Sequence, residues 1–237
     1  MSNRVHATAS SVARGTDHDT ERPPKRSRLL LVRHGESTWN RARRIQGQLD
    51  PPLSDRGLTQ ARELAERLSG RSLAGFYCSD LARAQQTAEA LVDAVGLDPR
   101  PEVGLREIRL GAWEGKTREE LEAEFPEEWA AWTHRPSWDL VPGGEGEAPF
   151  ADRVTATLGE IRARHPHGDV LCVTHGGVIQ VGILEVVGRG SGGFFPFMIE
   201  NCSLTVIQRR NGRAVVTSVN DTCHLSSAAM RATELSN

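Results

Sequence analysis

The chain has 237 residues, of which 38% are hydrophobic and 25% are charged, values typical of a globular protein. Its formal net charge of −2 provides no overall field that would attract nucleic acid or an anionic membrane surface, so neither is an expected partner. No apolar run approaches the roughly 18 residues that a membrane-spanning helix needs. Because the N-terminus also lacks the apolar core of a signal peptide, the sequence predicts a cytoplasmic protein.

The chain divides by composition into a tail, one domain and a second tail. Residues 1–26 are rich in Ser, Thr, Ala, Arg and Asp without helical or strand periodicity, which predicts a disordered segment. The folded domain is expected at 27–225, followed by a flexible tail at 226–237. Reduced, buried thiols are expected rather than disulfides or a zinc site, because no C-x-x-C pair occurs among the cysteines, which are Cys78, Cys172, Cys202 and Cys223.

Within the domain, strand patterns alternate with helical patterns. Strands are predicted at 28–32, 75–79, 169–174, 202–209 and 213–219. Helices are predicted at 54–68 with Ser54 as the cap, at 81–95 with Gly96 at the end, at 117–133 with a break at Pro126, at 150–164 and at 178–187. This alternation predicts a mostly parallel sheet covered on both faces, with an antiparallel edge supplied by the last two strands around the turn Asn211-Gly212.

Two segments of the sequence share one design. LLLVRHGE at 29–36 and VLCVTHGG at 170–177 each lead an apolar strand into a His-Gly pair that precedes a helix or a helical turn. Ligands of open α/β sheets bind at the carboxyl ends of strands, and helix N-termini at that edge attract phosphate. Gly35, Gly176 and Gly177 are expected to let the backbone approach an anion. A single such histidine could be an ordinary strand-end residue, whereas two in matching contexts indicate a phosphate site.

Arg33 and Arg83 are the candidate cations of this site. Arg83 follows Ser79 and Asp80, either of which can cap the next helix, so Arg83 falls in the first helical turn. An arginine at that position opposes the helix dipole, so helix stability does not explain it. A planar guanidinium that binds phosphate through two N–H groups does, although a solvated surface arginine remains the alternative.

Glu107 is the candidate acid. It lies in LREIRLGAWEG, a segment in which apolar residues flank the charged ones. A carboxyl group in a partly apolar pocket can retain a proton and donate it to a leaving alkoxide. A surface glutamate is the alternative interpretation.

Four motifs occur in the order RHGES-x-x-N, SDL-x-RA-x-x-TA, LRE-x-x-x-G-x-WEG and VTHGG. With this set the chain resembles the histidine phosphatase superfamily, over about residues 28–225. The resemblance implies a three-layer α/β/α sandwich and an enzyme whose RHG histidine is phosphorylated during turnover. It also implies the following roles: His34 as nucleophile, Arg33, Arg83 and His175 as the phosphate pocket, Asn40 as a further contact, and Glu107 as proton donor.

The physical chemistry agrees with these implied roles. Two arginines and a cationic His175 could neutralise a phosphate monoester and the charge of its transition state. His34 has to attack as a neutral ring, and nearby arginines favour the neutral form by lowering its pKa. Because the arginines do the work that Mg²⁺ does elsewhere, neither a metal nor another cofactor is expected.

The implied activity is hydrolysis of a small phosphate ester, with a cofactor-dependent phosphoglycerate mutase as the alternative. Mutases of the family carry Tyr where this chain has Leu110, and they have an Arg-Arg pair that is missing between 115 and 150. Two further alternatives are a metal hydrolase, in which two His and a Glu would bind Fe or Zn, and a non-catalytic scaffold. The adjacent arginines speak against the metal site, and the complete set of chemical residues speaks against the scaffold.

The sequence says less about substrate choice and partners. Gln46 and Gly47 are expected to line the cleft near Trp39, and the cap is expected at 113–138 and 142–147. Packing is expected for most of the cap tryptophans, and in the cap Glu145 is followed by Gly146 where the family has Ser. Asn201 is placed near the cleft by the resemblance. The apolar loop around Phe194, Phe195 and Phe197 is a candidate for a homodimer contact or a pocket wall.

Overall fold

One mixed sheet of six strands organises the protein. The computed structural model describes residues 26–188, 196–210, 212–226 and 229. The strands are Arg26–Arg33 (β1), Gly75–Cys78 (β2), Arg100–Pro101 (β3), Gly168–Thr174 (β4), Leu204–Arg210 (β5) and Arg213–Asp221 (β6). Their order is β3-β2-β4-β1-β5-β6. The first four are parallel, whereas β5 is antiparallel to β1 and β6 is antiparallel to β5, which confirms the predicted sheet.

Helices connect the strands and cover both faces of the sheet. Within the described ranges they are Thr38–Arg41 (α1), Asp55–Leu68 (α2), Ala82–Glu89 (α3), Val92–Val95 (α4), Arg118–Glu124 (α5), Pro126–His134 (α6), Glu147–Arg164 (α7) and Gly176–Val187 (α8). The single helix predicted at 81–95 is therefore two short helices, which end at Gly96 in the left-handed conformation, with φ 67°. The predicted break is confirmed, because Pro126 occupies the first position of α6, where its missing N–H costs nothing.

The alternation of β1 separates two hydrophobic cores. Leu29 and Leu31 point to the face covered by α7 and α8, where Val154 and Leu158 pack. Leu30 and Val32 point to the opposite face, which α2, α3 and α4 cover. Since successive strand residues face opposite sides, one run of four apolar residues serves both cores, and the three-layer α/β/α sandwich follows.

Register places the two His-Gly pairs side by side. β1 and β4 are neighbours, and Arg33 lies opposite Thr174 in their parallel pairing. The next residue of each strand, His34 and His175, therefore leaves the sheet at the same edge, and the N–H of His34 donates to the carbonyl of Thr174 at 2.9 Å. This edge, formed by the carboxyl ends of the central strands, is where ligands of such sheets bind.

All four cysteines are free thiols. Cys78, Cys172 and Cys202 are buried, as predicted, and burial raises the pKa of the Cys78 thiol to about 11. Cys223 is exposed. Among the described helices, none has the length and apolar character needed to cross a bilayer.

Some of the predictions lie outside the described residues. β1 begins at Arg26, so the structure describes only the last residue of the predicted 1–26 tail. Asn211 of the hairpin turn and the aromatic pair Phe194 and Phe195 also lie outside, as do most residues of the segment 226–237. Phe197 is described, and its backbone N–H donates to the side chain of Gln180 at 3.2 Å.

Candidate active site

His34 occupies the first position after β1 and is 3% exposed. Its Nδ1 lies 2.7 Å from the carbonyl oxygen of Gly35, and its Nε2 lies 3.3 Å from Nε of Arg83. A carbonyl can only accept and a guanidinium N–H can only donate. Nδ1 therefore carries the hydrogen, and Nε2 holds the lone pair on the side of the arginine.

The electrostatic surroundings favour the same neutral form of His34. Burial lowers the pKa of the imidazole well below its usual value, and the nearby charges of Arg83 and Arg33 lower it further. Each of these causes disfavours a second proton on the ring. The sequence prediction of a neutral nucleophile agrees with this direction.

His175 faces His34, with 5.1 Å between the ring centroids. It is fully buried, and its Nε2 lies 2.9 Å from the hydroxyl oxygen of Ser79. Its Nδ1 is buried without a hydrogen-bond partner among the described residues. If the Ser79 hydroxyl donates to Nε2, a neutral ring carries its hydrogen on Nδ1, as a donor with no other engagement.

A cationic His175 was predicted, and the structure opposes that charge. Burial lowers the pKa of His175 well below its usual value, with further lowering from Arg83, His34 and Arg33. Two guanidinium groups next to the buried ring make a third positive charge unfavourable. In the free protein His175 is therefore a neutral donor, and the pocket's cations are the two arginines.

Arg83 has no exposed surface. Its two terminal nitrogens donate to the carbonyls of Leu49 and Gly47, each at 2.8 Å. Burial lowers the pKa of Arg83 to about 10, so the guanidinium still carries its charge near neutral pH. The alternative of a solvated surface arginine is thereby wrong, because the loop 46–50 fixes this side chain against His34.

The helix that carries Arg83 begins differently from the prediction. Leu81 is the N-cap of α3 and provides no side-chain hydrogen bond. Instead the carboxylate of Asp50, from the loop before α2, accepts from the N–H of Ala82 at 2.6 Å. Ser79 and Asp80 were the predicted caps, but Ser79 contacts His175 and Asp80 pairs with Arg106 at 2.7 Å.

Arg33 is the last residue of β1, and its side chain extends towards Gly176 and Glu107. One terminal nitrogen donates to the carbonyl of Ile199, whereas Nε is buried without a hydrogen-bond partner in the part of the chain that is described. A Cβ added at Gly176 would lie 3.7 Å from that Nε, so the backbone of Gly176 borders the guanidinium closely. Arg33 therefore keeps donor capacity for a ligand at the start of α8.

Glu107 contacts the same helix start. Its carboxylate oxygens accept from the N–H of Gly177 at 3.1 Å and from the N–H of Ile108 at 3.0 Å. A Cβ added at Gly177 would lie 2.2 Å from Oε1 of Glu107 and 3.1 Å from Phe150. The absence of a side chain at Gly177 is thus what admits the carboxylate to α8, beside the two histidines.

The glycines were expected to let the backbone approach an anion, and at two of them the backbone N–H already has a partner within the protein. The N–H of Gly35 donates to Thr87 at 3.0 Å, and that of Gly177 donates to Glu107. A Cβ at Gly35 would also lie 2.6 Å from the carbonyl of Gly57 in α2. Close packing is therefore the reason for glycine at both positions.

The short helix α1 brings Asn40 back towards His34. Ser37 and Asn40 form a capping box, in which Oδ1 of Asn40 accepts from the N–H of Ser37 at 3.1 Å. The same oxygen lies 3.4 Å from Nδ2 of Asn201, which also donates to the carbonyl of His34 at 2.9 Å. Gln46 joins this group through the hydroxyl of Ser37 at 2.7 Å.

Gly47 connects the cleft loop to the cap. It has φ 52°, and a Cβ there would lie 2.1 Å from Oε1 of Glu114. In the cap, Trp113 is 1% exposed, and Trp129 and Trp132 stack with centroids 5.4 Å apart. These tryptophans and Trp138 pack with the core, as predicted for most of them.

Sequence reasoning missed three side chains that hold the site residues in place. Ser79 contacts His175, Asp50 caps the helix of Arg83, and Arg153 of α7 donates to the carbonyl of Glu107 at 3.3 Å. Only Ser79 had a signal, because it begins the SDL motif that contains Arg83. The other two come from distant elements and carry no local pattern.

A metal centre was one alternative from the sequence. Among the residues that the structure describes, no group of three or more His, Cys, Asp and Glu side chains could hold a metal ion. The arrangement gathers guanidinium and imidazole donors around one space, which suits an anion.

Comparison with known proteins identifies this arrangement. The family described as the histidine phosphatase superfamily (branch 1) matches residues 29–222. Phosphoserine phosphatase 1 of Hydrogenobacter thermophilus is 37% identical over 198 residues, 84% of this chain and 94% of that protein. A probable phosphoglycerate mutase of Yersinia pestis is 32% identical over 85% of this chain and 96% of that protein.

The fold is shared as well. The solved structure of Bacillus stearothermophilus YhfR superposes on this chain with a TM-score of 0.77 and is 32% identical in sequence. The match covers 84% of this chain and 100% of that one. The chain therefore belongs to the histidine phosphatase superfamily and is a phosphatase of that family.

Proposed function

We propose that this member of the histidine phosphatase superfamily hydrolyses the phosphate ester of a small metabolite through a covalent phosphohistidine on His34. The observation that carries the proposal is the hydrogen bonding of the His34 ring. Its Nδ1–H is directed to the carbonyl of Gly35, so the lone pair of Nε2 lies beside Arg83. A neutral imidazole next to two guanidinium groups is suited to attack a phosphoryl group that those guanidinium groups bind.

The first half-reaction transfers the phosphoryl group to the protein. Arg33 and Arg83 neutralise the non-bridging oxygens, and Nδ1–H of His175 donates to one of them. Nε2 of His34 forms a bond to phosphorus while the bond from phosphorus to the ester oxygen breaks. Glu107 gives its proton to that oxygen, and the alcohol leaves.

The second half-reaction restores the protein. Glu107, now a carboxylate, accepts a proton from a water molecule as the water oxygen attacks phosphorus. The bond between phosphorus and Nε2 breaks, and inorganic phosphate leaves with His34 again neutral. The two arginines supply the charge stabilisation in both steps, so no metal ion or other cofactor is part of the proposal.

Phosphoserine is the substrate to test first. A relative that is 37% identical over most of this chain is named a phosphoserine phosphatase, and phosphoserine is a small alkyl phosphate of the kind that needs an acid for its leaving group. Phosphoglycerate is the second substrate, because another relative is named a probable mutase. Release of inorganic phosphate supports the phosphatase, and isomerisation of phosphoglycerate without release would contradict it.

The phosphohistidine is tested by trapping. The protein is mixed with ³²P-labelled phosphoserine or labelled p-nitrophenyl phosphate and quenched within milliseconds. We expect protein-bound label that is stable in base and labile in acid. His34→Ala should remove the label and more than about 99% of the turnover. The variant has no nucleophile to accept the phosphoryl group, and proton donation by Glu107 then has no covalent step to assist.

His167→Ala is the matched control, since His167 is exposed at the other end of the sheet, before β4. It should label and turn over like the wild type. More than a tenth of wild-type turnover in a folded His34→Ala protein would refute the assignment of the nucleophile.

A further inference from the structure

The segment that carries Glu107 contains a short 3₁₀ helix, Val103–Leu105, and then extended chain, so the carbonyls at its end need partners from elsewhere. Arg153 of α7 supplies most of them. One of its terminal nitrogens donates to the carbonyls of Gly104 and Arg106, both at 2.9 Å. The other donates to the carbonyl of Glu107 at 3.3 Å.

The remaining donors of Arg153 bind Glu145. Nε donates to Oε1 at 2.8 Å and a terminal nitrogen donates to Oε2 at 2.9 Å. A guanidinium has five N–H groups, and all five of Arg153 are engaged in this way. Glu145 also accepts from the backbone N–H of Arg109 at 3.1 Å, two residues beyond Glu107.

The pair holds the acid segment from both sides. Arg153 binds the chain up to Glu107, and Glu145 binds it at Arg109. Two other side chains complete the set: Thr174 donates to the carbonyl of Leu105 at 2.8 Å, and Gln48 donates to that of Glu107 at 3.1 Å. Arg153 lies under the backbone of the acid and makes no hydrogen bond to its carboxylate among the described contacts.

We propose that Arg153 and Glu145 are positioning residues for Glu107, acting on the proton transfer to the leaving group while phosphate binding stays with Arg33, Arg83 and His175. This inference rests on the proposed function, in which Glu107 is the acid. A fixed backbone at Glu107 keeps its carboxylate at the start of α8. A displacement of about 1 Å in such a group can cost on the order of 100-fold in rate.

Arg153 and Glu145 remain an ion pair throughout the neutral pH range. Burial raises the pKa of Glu145, but the hydrogen bonds from Arg153 and from the Arg109 backbone outweigh burial, and the pKa lies below its usual value. The pair therefore stays ionised across the neutral range, and its side chains are only 23% and 15% exposed. A bidentate pair at this burial holds geometry better than an exposed one.

The test compares leaving groups, because a merely structural loss slows all substrates alike. Activity is measured as kcat/KM for phenyl phosphate and for 2,4-dinitrophenyl phosphate, whose leaving group needs no acid. Glu107→Gln is the reference variant, expected to slow the phenyl ester far more than the dinitrophenyl ester. Arg153→Met should slow the phenyl ester at least tenfold more than the dinitrophenyl ester, with the inhibition constant of inorganic phosphate within threefold of the wild type.

Arg162→Met is the matched control, because Arg162 is another arginine of α7 and pairs with Glu185 at 3.0 Å, away from the acid segment. It should leave the ratio of the two esters unchanged. Arg153→Lys and Glu145→Gln should shift the ratio of kcat/KM for the two esters in the same direction as Arg153→Met, by smaller factors. These two variants provide the test if Arg153→Met does not fold.

Three results separate the two proposals. Equal slowing of both esters in the Arg153 variants, with discrimination in Glu107→Gln, would overturn the positioning role alone. Equal slowing in Glu107→Gln as well would overturn the acid role in the proposed function. A shifted ratio in Arg162→Met would show that any weakening of α7 has this effect, and it would also overturn the positioning role.

Discussion

At the scale of single residues, the site depends on atoms that can play only one part in a hydrogen bond. The carbonyl of Gly35 can only accept and Nε of Arg83 can only donate, so they select one tautomer of His34. The Ser79 hydroxyl can donate or accept, so Nδ1 of His175 carries the hydrogen only when Ser79 donates to Nε2, and that Nδ1 has no partner among the described residues. The tautomer of His34 is thus set by two neighbours that do not themselves give up or take a proton.

Gly177 offers a test of how closely Glu107 must approach α8. We expect Gly177→Ala to reduce turnover of a phosphate ester with a poor leaving group by on the order of 100-fold, since the new Cβ would lie 2.2 Å from Oε1 of Glu107. Gly159→Ala in α7 is the control, because a Cβ there meets nothing within 4 Å. The control should keep full activity and gain about 1 kcal/mol in the free energy of unfolding, as expected for Gly to Ala inside a helix.

These expectations are measured by steady-state kinetics and by chemical denaturation of both variants. Normal turnover by Gly177→Ala would mean that the contact of Glu107 with α8 is dispensable.

Motif residues were predictable from the sequence, and their protonation states were only partly so. His34 and His175 directly follow strands and Arg83 lies in the first turn of a helix, whereas Arg33 and Glu107 were recognised by the motifs that contain them. In the free protein, burial and the two arginines beside His175 oppose a positive charge on its ring, and neither cause can be read from its own neighbours in sequence. Distances between residues far apart in the chain decide such a pKa.

At the scale of elements, helix α3 and the loop 46–50 form one unit around Arg83. The loop provides two carbonyls to the guanidinium and the carboxylate of Asp50 to the N–H of Ala82. A carboxylate at a helix N-terminus stabilises the helix dipole, which offsets the unfavourable place of Arg83 in the first turn. Asp50 also lies 4.0 Å from a terminal nitrogen of Arg83, so it reduces the positive field of the pocket.

Two substitutions of Asp50 separate these effects. Asp50→Asn keeps a good capping group and removes the charge, so we expect unchanged stability and roughly two- to fivefold tighter inhibition by inorganic phosphate. Asp50→Ala removes the cap as well and should lower the free energy of unfolding by about 1 kcal/mol. Thr117→Ala, which removes the cap of α5, should show the same loss of stability with no change in phosphate inhibition.

Denaturation curves measure the free energy of unfolding of each variant, and inhibition constants for inorganic phosphate measure how tightly the pocket binds the anion. Weaker phosphate binding by Asp50→Asn than by the wild type would contradict this expectation. It would mean that the Asp50 carboxylate helps to orient Arg83 rather than weakening the positive field of the pocket.

The main elements were predictable, because the central strands are short apolar runs and the long helices α2 and α7 have an apolar stripe, whereas the short, exposed strand β3 and the one-turn helix α1 have neither. The exceptions have local causes. The prediction of one helix over 81–95 was wrong, since the chain turns between Glu89 and Val92 while Leu91 stays fully buried in the core. The cap of α3 was unpredictable from its own sequence, because Asp50 is 32 positions away from Ala82.

At the scale of the whole molecule, folding buries ionisable side chains as well as apolar surface. His34 and His175 are neutral in the folded protein, since burial and the two arginines lower both pKa values well below 6.5. In the unfolded chain they would titrate near 6.5 and bind protons below that pH. Below about pH 6.5 the unfolded state therefore holds more protons, and acid favours unfolding.

We expect the free energy of unfolding to fall as the pH is lowered from about 6.5 to 5, with a slope of up to about 1.4 kcal/mol per pH unit for each of the two histidines. Above about pH 6.5 this contribution is fully present and constant. Denaturation in urea over pH 5 to 8 measures it. The His175→Gln variant should lose part of the slope, and His134→Gln, at an exposed position of α6, should retain all of it.

An identical slope in the wild type and in His175→Gln would contradict the neutral state of the buried ring. Below about pH 5 a second contribution adds to the slope, because paired carboxylates such as Asp80 and Asp169, whose pKa values in the folded protein lie below their usual range, take up protons first in the unfolded chain.

The hydrogen bond from Arg83 to Nε2 of His34 has a consequence for which molecules can react there. In the resting protein the reactive lone pair is already occupied by an N–H, so an uncharged acylating or alkylating agent meets a shielded nitrogen. A phosphate ester brings anionic oxygens that compete with the ring nitrogen for the Nε–H of Arg83. If His34 is the nucleophile, as proposed above, we expect the charge of the substrate to release its lone pair, so that the site reacts with anionic phosphate esters in preference to uncharged electrophiles.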